Sequence, residues 1–185
     1  MSSHREDHAD SLEKTGNESH PVLRKRCMPT VCVRMTSSPD RHPVFPSSVR
    51  DCADWQADGM TVSGIYGIYL ERSGWFIDAY CDMDTAGGGW TVIQRRMDGT
   101  VDFDKTWAQY KKGFGSVSAE HWLGNDNIHF LTSQKTYQLR IDLVDFYGNT
   151  SNATYNPFSV GNESVNYELE IGSYSGSAGR PFLGL

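Results

Sequence analysis

Over residues 137–146 the chain alternates strictly. Tyr137, Leu139, Ile141 and Leu143 fall on one side and Gln138, Arg140 and Asp142 on the other. A period of two is the mark of a strand with one covered and one wet face. A second stretch follows the same rule, with Tyr167, Leu169 and Ile171 turned inward and Glu168 and Glu170 outward. Such strands belong in an antiparallel sheet. Residues 63–70 and 75–83 read as two more strands joined at Ser73-Gly74, and 90–97 as another, entered through the glycines at 87–89. Residues 153–155 and 158–160 read as short strands broken by Asn156-Pro157, and Gly148-Asn149 as a turn.

Helical signals are short. Asp51 is placed to cap a first helix. Residues 105–112 suit a second, with Asp104 as cap and Gly113 as stop. Ser118 would cap a segment at 119–123, and Asn125 or Asp126 one running to about Ser133, together burying Trp122, Leu123, Ile128 and Leu131. Strands, then short helices, then strands again make the fold class α+β.

The chain divides near residue 50. Residues 1–50 contain one aromatic, Phe45, one glycine and five of the seven prolines, whereas all five Trp and all nine Tyr lie beyond. Only the second part has the apolar surface to offset chain entropy. The expected organisation is therefore a disordered leader at 1–50 and a globular domain at 51–185. The leader carries a net +2 and the domain −8. An acidic body lacks the clustered basic face that nucleic acid requires. Arg24-Lys25-Arg26 reads as a solvated or protease-sensitive run. No stretch reaches the roughly 18 apolar residues of a membrane span. The polar residues 1–12 lack the apolar core of a signal peptide.

Catalytic signatures fail one by one. Gly172-Ser-Tyr-Ser-Gly176 puts Tyr174 where a nucleophile elbow needs serine. His121 and His129 have no HExxH around them, and 87–89 lacks the Lys-[ST] of a phosphate loop. Asp82-Met-Asp84 opens like a calcium loop and Gly87 falls where its glycine belongs, but Ala86 and Ile93 stand where a third oxygen ligand and the closing Glu would be needed. The expectation is a protein that is not an enzyme.

Cysteine and asparagine carry covalent expectations. Cys52 and Cys81, 29 residues apart, flank the first hairpin. In an oxidising compartment they are expected to pair, for roughly 3–4 kcal/mol in the chain-entropy treatment. Cys27 and Cys32 are open to three fates: local pairing, disulfide-linked oligomers or free thiols. Asn17, Asn149, Asn152 and Asn162 each head an N-x-[ST] sequon, of which Asn152 has the better Thr acceptor.

Two strings carry more than any of these patterns. Residues 88–96 read Gly-Gly-Trp-Thr-Val-Ile-Gln-Arg-Arg, and Glu120-His121-Trp122-Leu123-Gly124-Asn125-Asp126-Asn127-Ile128-His129 follows. With Asp51-Cys52, Tyr80-Cys81-Asp82-Met83, Gly113-Phe114-Gly115 and Tyr174-Ser175-Gly176, they resemble the fibrinogen-related domain of fibrinogen chains, ficolins, tenascins and angiopoietins. His121 departs from it, standing where that family usually has an aromatic. The resemblance implies a twisted antiparallel sheet with short helices and a small N-terminal subdomain closed by Cys52–Cys81, the family's first disulfide.

The resemblance runs to about Gly179. It implies that the loop-rich C-terminal subdomain, with the calcium loop, a second disulfide and the main ligand pocket, lies outside this chain. No cofactor is then expected here, calcium belonging to that outside part. Loss of the family's closing strand would leave an inner edge of the sheet unpaired, and hence a marginally stable or associating chain. The function implied is that of an extracellular, secreted recognition module. Its full-length parent would bind acetylated glycans in lectin-like fashion, or a cell-surface receptor. The alternatives are a matrix or assembly glycoprotein domain, and a truncated isoform or fragment without its own role. The absence of a signal peptide sets an expectation that coding sequence precedes Met1.

Overall fold

The computed structural model describes residues 28–36 and 49–179. Its strands are β1 (Met28–Met35), β2 (Gly64–Leu70), β3 (Trp75–Asp82), β4 (Trp90–Arg95), β5 (Phe114–Gly115), β6 (His121–Trp122), β7 (Tyr137–Val144), β8 (Thr150–Val160) and β9 (Leu169–Gly176). Three short helices accompany them: α1 (Cys52–Ala57), α2 (Trp107–Lys112) and α3 (Asn125–Thr132). All strands join one sheet in the order β2-β3-β4-β1-β7-β8-β9, with β6 pairing β4 and β5. Every pairing is antiparallel.

The largest departure from expectation is β1, which lies inside the leader assigned to 1–50. It runs between β4 and β7 and pairs with both, Val33 facing Thr91 on one side and Leu139 on the other. Among the described residues β4 and β7 are thereby each paired on both sides. The segment shows why it can serve. Val33 and Met35 point into the main core, while Cys32 packs on the opposite face with Trp90 and Val92. A strand covered on both faces has no clean alternation to reveal it. Pro29 has no N–H to give, and it pairs only with Leu143, before the ladder with β4 begins at Thr30.

Cys32 is 1% exposed and its thiol is free. Burial, reinforced by nearby Asp142, pushes its ionisation far up. Buried between β4 and β7, its sulfur is not presented at the surface of this fold for the intermolecular disulfide considered above. Cys27 lies outside the described residues.

Cap and strand assignments shift locally. Asp51 caps α1 as expected, accepting from Asp54 N. α2 is capped by Thr106 through a box with Gln109 rather than by Asp104, whose backbone N–H donates to Asp102 two residues earlier. The helix expected at 119–123 is instead β6. The Ser118 hydroxyl bonds Ser116 at 2.8 Å rather than capping, and His121 pairs with Arg95 and Gly115. α3 starts after Gly124 without a side-chain cap. β8 runs unbroken through Asn156-Pro157, whose peptide is cis. Leu169, expected inside, is half-exposed at the start of edge strand β9. Within the Gly-Gly-Trp string, Gly88 adopts φ 73°, and a side chain there would strike Met83 O.

Two polar knots hold the loops to the sheet. Lys135 Nζ lies 2.9 Å from Asp51 and 2.6 Å from Asp54, and the Tyr137 hydroxyl donates to Asp51 at 2.8 Å. Burial, with Asp51 beside it, keeps that hydroxyl protonated. Asp51 is only 1% exposed, so its carboxylate oxygens are satisfied by these partners rather than by water. The second knot is Glu120, whose carboxylate accepts from the backbone N–H of Met97, Asp98, Gly99 and Val101 and lies 3.4 Å from Arg96 Nε. Burial alone would raise its pKa, but the backbone donors outweigh burial and hold it at about 2.

Two outcomes follow. Val33→Asp, at a fully buried position in β1, abolishes the cooperative urea transition, whereas Arg34→Ser next to it leaves a transition intact; equal behaviour of the two would show that β1 is dispensable. For Glu120 the folded pKa lies below the unfolded value near 4.5, so its stabilisation is present above pH ~4.5 and fades as pH falls through about 2. Glu120→Gln lowers stability at pH 7 by on the order of 2–3 kcal/mol, and the deficit shrinks toward pH 2. Chemical denaturation across pH 2–8 measures it.

Candidate functional site

A large apolar hollow lies over the inner part of the sheet. Its floor comes from β1, β4, β7 and β8 through Val31, Ile93, Leu139 and Phe158, and its volume is about 390 Å³. Ile128 of α3 and Trp122 of β6 close one side, and Tyr167 and Leu169 the other. The floor is apolar because these strands turn their core face toward it.

The rim is built from polar contacts between aromatic and charged side chains. Trp107 opens α2 and donates from Nε1 to Glu163 at 3.2 Å. Lys111, one helical turn on, pairs with the same Glu163 and lies 3.9 Å from Asp126 of α3. Tyr167 donates its hydroxyl to Asp126 at 2.5 Å, and its ring lies 5.7 Å from that of Trp107. These contacts explain three shifts: Lys111 holds the Glu163 carboxyl low, Glu163 holds the Lys111 ammonium high, and burial together with Asp126 raises the Tyr167 hydroxyl. Asn166 and Tyr167 have φ of 53° and 54°, left-handed values that a non-glycine residue adopts at a cost of about 1–3 kcal/mol each. The rim contacts hold that turn in place.

The arrangement suits binding rather than bond-making. It offers an apolar floor, a half-exposed Trp107 at the mouth and charges already paired with each other. The histidines are committed to backbone. His129 Nδ1–H donates to Val160 O at 2.8 Å, and the two ring nitrogens of buried His121 lie 3.1 and 3.3 Å from the carbonyls of Ala119 and Val92.

The residues singled out in the sequence are dispersed. Cys52 and Cys81 are bonded to each other, fully buried, and tie α1 to the end of β3. Asn149 is exposed in the β7–β8 turn, Asn152 is half-buried inside β8, and Asn162 is exposed beside the cleft rim, where it caps the turn at 163–165. Asn17 lies outside the described residues. Sequence reading did not find the cleft. Trp122, Asn125 and Ile128 belong to one motif, but Trp107, Glu163 and Tyr167 meet them only through folding. No short-range signal marked it: the alternation at 167–171 set Leu169 inside, whereas Leu169 and Val165 are both half-exposed.

Comparison with known proteins agrees with this architecture. The chain is 49% identical over 170 residues to Angiopoietin-2 of Bos taurus, covering 92% of this chain and 31% of that protein. Among solved structures, the fibrinogen-like globe domain of human ANGPTL2 superposes with a TM-score of 0.69 at 42% identity, covering 71% of this chain and 61% of that one. The corresponding domain of human ANGPTL6 gives 0.69 at 40% identity, over 76% and 62%. The chain thus spans about a third of the length of the angiopoietin it matches. Domains of this kind are binding modules without a catalytic centre, and this chain is non-enzymatic. Residues 48–184 match the family described as fibrinogen beta and gamma chains, C-terminal globular domain, and the chain belongs to it.

Proposed function

We propose that this chain is an extracellular recognition module that engages a cell-surface protein through the cleft at Trp107 and Tyr167. The observation that carries the reading is the cleft itself, an apolar floor within a rim of paired aromatic and charged groups. A partner's apolar side chain entering there would be desolvated, and Trp107 would act as an aromatic anchor. The angiopoietin relatives support a secreted, receptor-directed role, and the Cys52–Cys81 bond supports an oxidising compartment. The reading uses no resident calcium ion. Lectin-like binding of acetylated glycans is the second reading. It rests on Trp107, whose half-exposed ring could stack on a sugar. Assembly through Cys27 has no described residue to support it.

Binding of the labelled chain to cultured cells separates the readings. Saturable binding is expected to persist in EDTA and after surface deglycosylation, and to be lost after brief surface proteolysis. Trp107→Ala should weaken it about tenfold, or about 1.4 kcal/mol, with the melting transition kept. Binding that survives proteolysis but not deglycosylation, or retention on an acetylated resin, would favour the glycan reading. No saturable binding to any cell type would sink both.

A further inference from the structure

We infer that Asn162 is the N-glycan acceptor of this domain, in preference to the sequons at Asn149 and Asn152. All three satisfy the same sequence rule, and only their folded surroundings tell them apart.

Asn162 is exposed and sits in extended backbone, φ −85° and ψ 177°, immediately ahead of the turn at 163–165. Its Oδ1 accepts from Ser164 N at 3.0 Å and from the Ser164 hydroxyl at 2.6 Å. The sequon hydroxyl therefore already contacts the amide that must react, and the amide plane is fixed. Oδ1 takes both bonds, so Nδ2 is left pointing away from them, and among the described residues it has no acceptor. The next residue turns the other way: Glu163 reaches back to Trp107 and Lys111. A glycan on Asn162 would thus project into solvent at the lip of the cleft, displacing nothing.

The other two lack this combination. Asn149 is exposed, but its Nδ2 donates to Asp145 Oδ2 at 2.8 Å while its backbone N–H donates to Asp145 Oδ1 at 2.9 Å. Its amide is part of what closes the β7–β8 turn. Asn152 is half-buried in a strand paired on both sides, facing Asp142 of β7, and its carbonyl accepts from Ser177 and Ala178. Ala153 and Thr154 continue the same ladder, pairing with both neighbours. Among the described residues the Thr154 hydroxyl makes no bond to the Asn152 amide.

The modification takes a lipid-diphosphate-linked oligosaccharide as donor. A bond forms between Asn162 Nδ2 and the sugar's anomeric carbon, the bond from that carbon to the diphosphate oxygen breaks, the diphosphate leaves with the electron pair, and Nδ2 loses a proton. No oxidant or reductant is involved.

The test uses the full chain, carrying Asn17→Gln, directed through the secretory pathway of a eukaryotic host. Intact mass is read with and without an endoglycosidase that removes N-glycans. Asn162→Gln and Ser164→Ala should each lose one glycan. Ser164→Ala keeps the Asn162 cap on Ser164 N and so guards against loss through misfolding; protection of the Cys52–Cys81 bond from alkylation reports folding for every variant. Asn149→Gln and Asn152→Gln should leave the glycan mass unchanged, and Ser164→Thr should raise occupancy. The inference is overturned if the parent chain carries no glycan, if Ser164→Ala retains its full mass, or if either Asn149→Gln or Asn152→Gln removes one. None of these outcomes depends on whether the cleft binds a receptor.

Discussion

The two halves of the sheet are joined by one strand. β2, β3 and β4 form one hydrogen-bonded group, β7, β8 and β9 another, and among the described residues β1 alone pairs with both. Its centre is as deeply buried as any part of the molecule, Val33 at 0% and Cys32 at 1% exposure. Val33 and Met35 enter the main core, while Cys32, Trp90 and Val92 form a smaller cluster on the reverse face. That reverse face is screened by cations lying over aromatic rings, Arg95 at 4.7 Å from the Tyr80 centroid and Arg34 at 5.9 Å from Trp90. Seating β1 thus completes two apolar clusters and two hydrogen-bond ladders together.

The other elements are fastened to this frame by polar groups whose partners are far away in sequence. Asp51 caps α1 and also receives Lys135 and the Tyr137 hydroxyl from the far half of the sheet. A disulfide from the adjacent Cys52 fixes the same corner to β3. Glu120 turns its carboxylate onto four consecutive or near-consecutive amides of the loop after β4, and so the loop takes its shape from one side chain. The residues of the recognisable motifs are mostly framework: Gly88, Trp90, Glu120, Leu123 and Ile128 are buried.

The cleft arises where this framework stops short. α2 and α3 lean on the sheet from one side and the turn at 163–167 from the other, with Glu163 and Asp126 tying them through Lys111 and Tyr167. The left-handed backbone at Asn166 and Tyr167 is sustained by those ties. The same turn presents Asn162 outward and Glu163 inward, so recognition and modification surfaces share one short segment. A change there should be felt at both.

Much of the architecture could be read locally. The alternation at β7, the hairpin of β2 and β3, the cap at Asp51 and the motif strings each depend on neighbours in the chain, and these emerge in the structure with edges shifted by a residue or two. The motif strings also pointed to the family to which the chain belongs and to the Cys52–Cys81 bond that the structure contains. Tertiary structure alone decided the rest. β1 looked like linker because a strand covered on both faces needs no alternation and draws its stability from partners some sixty and a hundred residues away. Residues 119–123 looked helical because their pairing with β4 and β5 is invisible to local propensity. The cleft joins side chains from opposite ends of the domain, and the three sequons are alike as strings. Which of them is free to react depends on where neighbouring carboxylates, hydroxyls and strands fall in space.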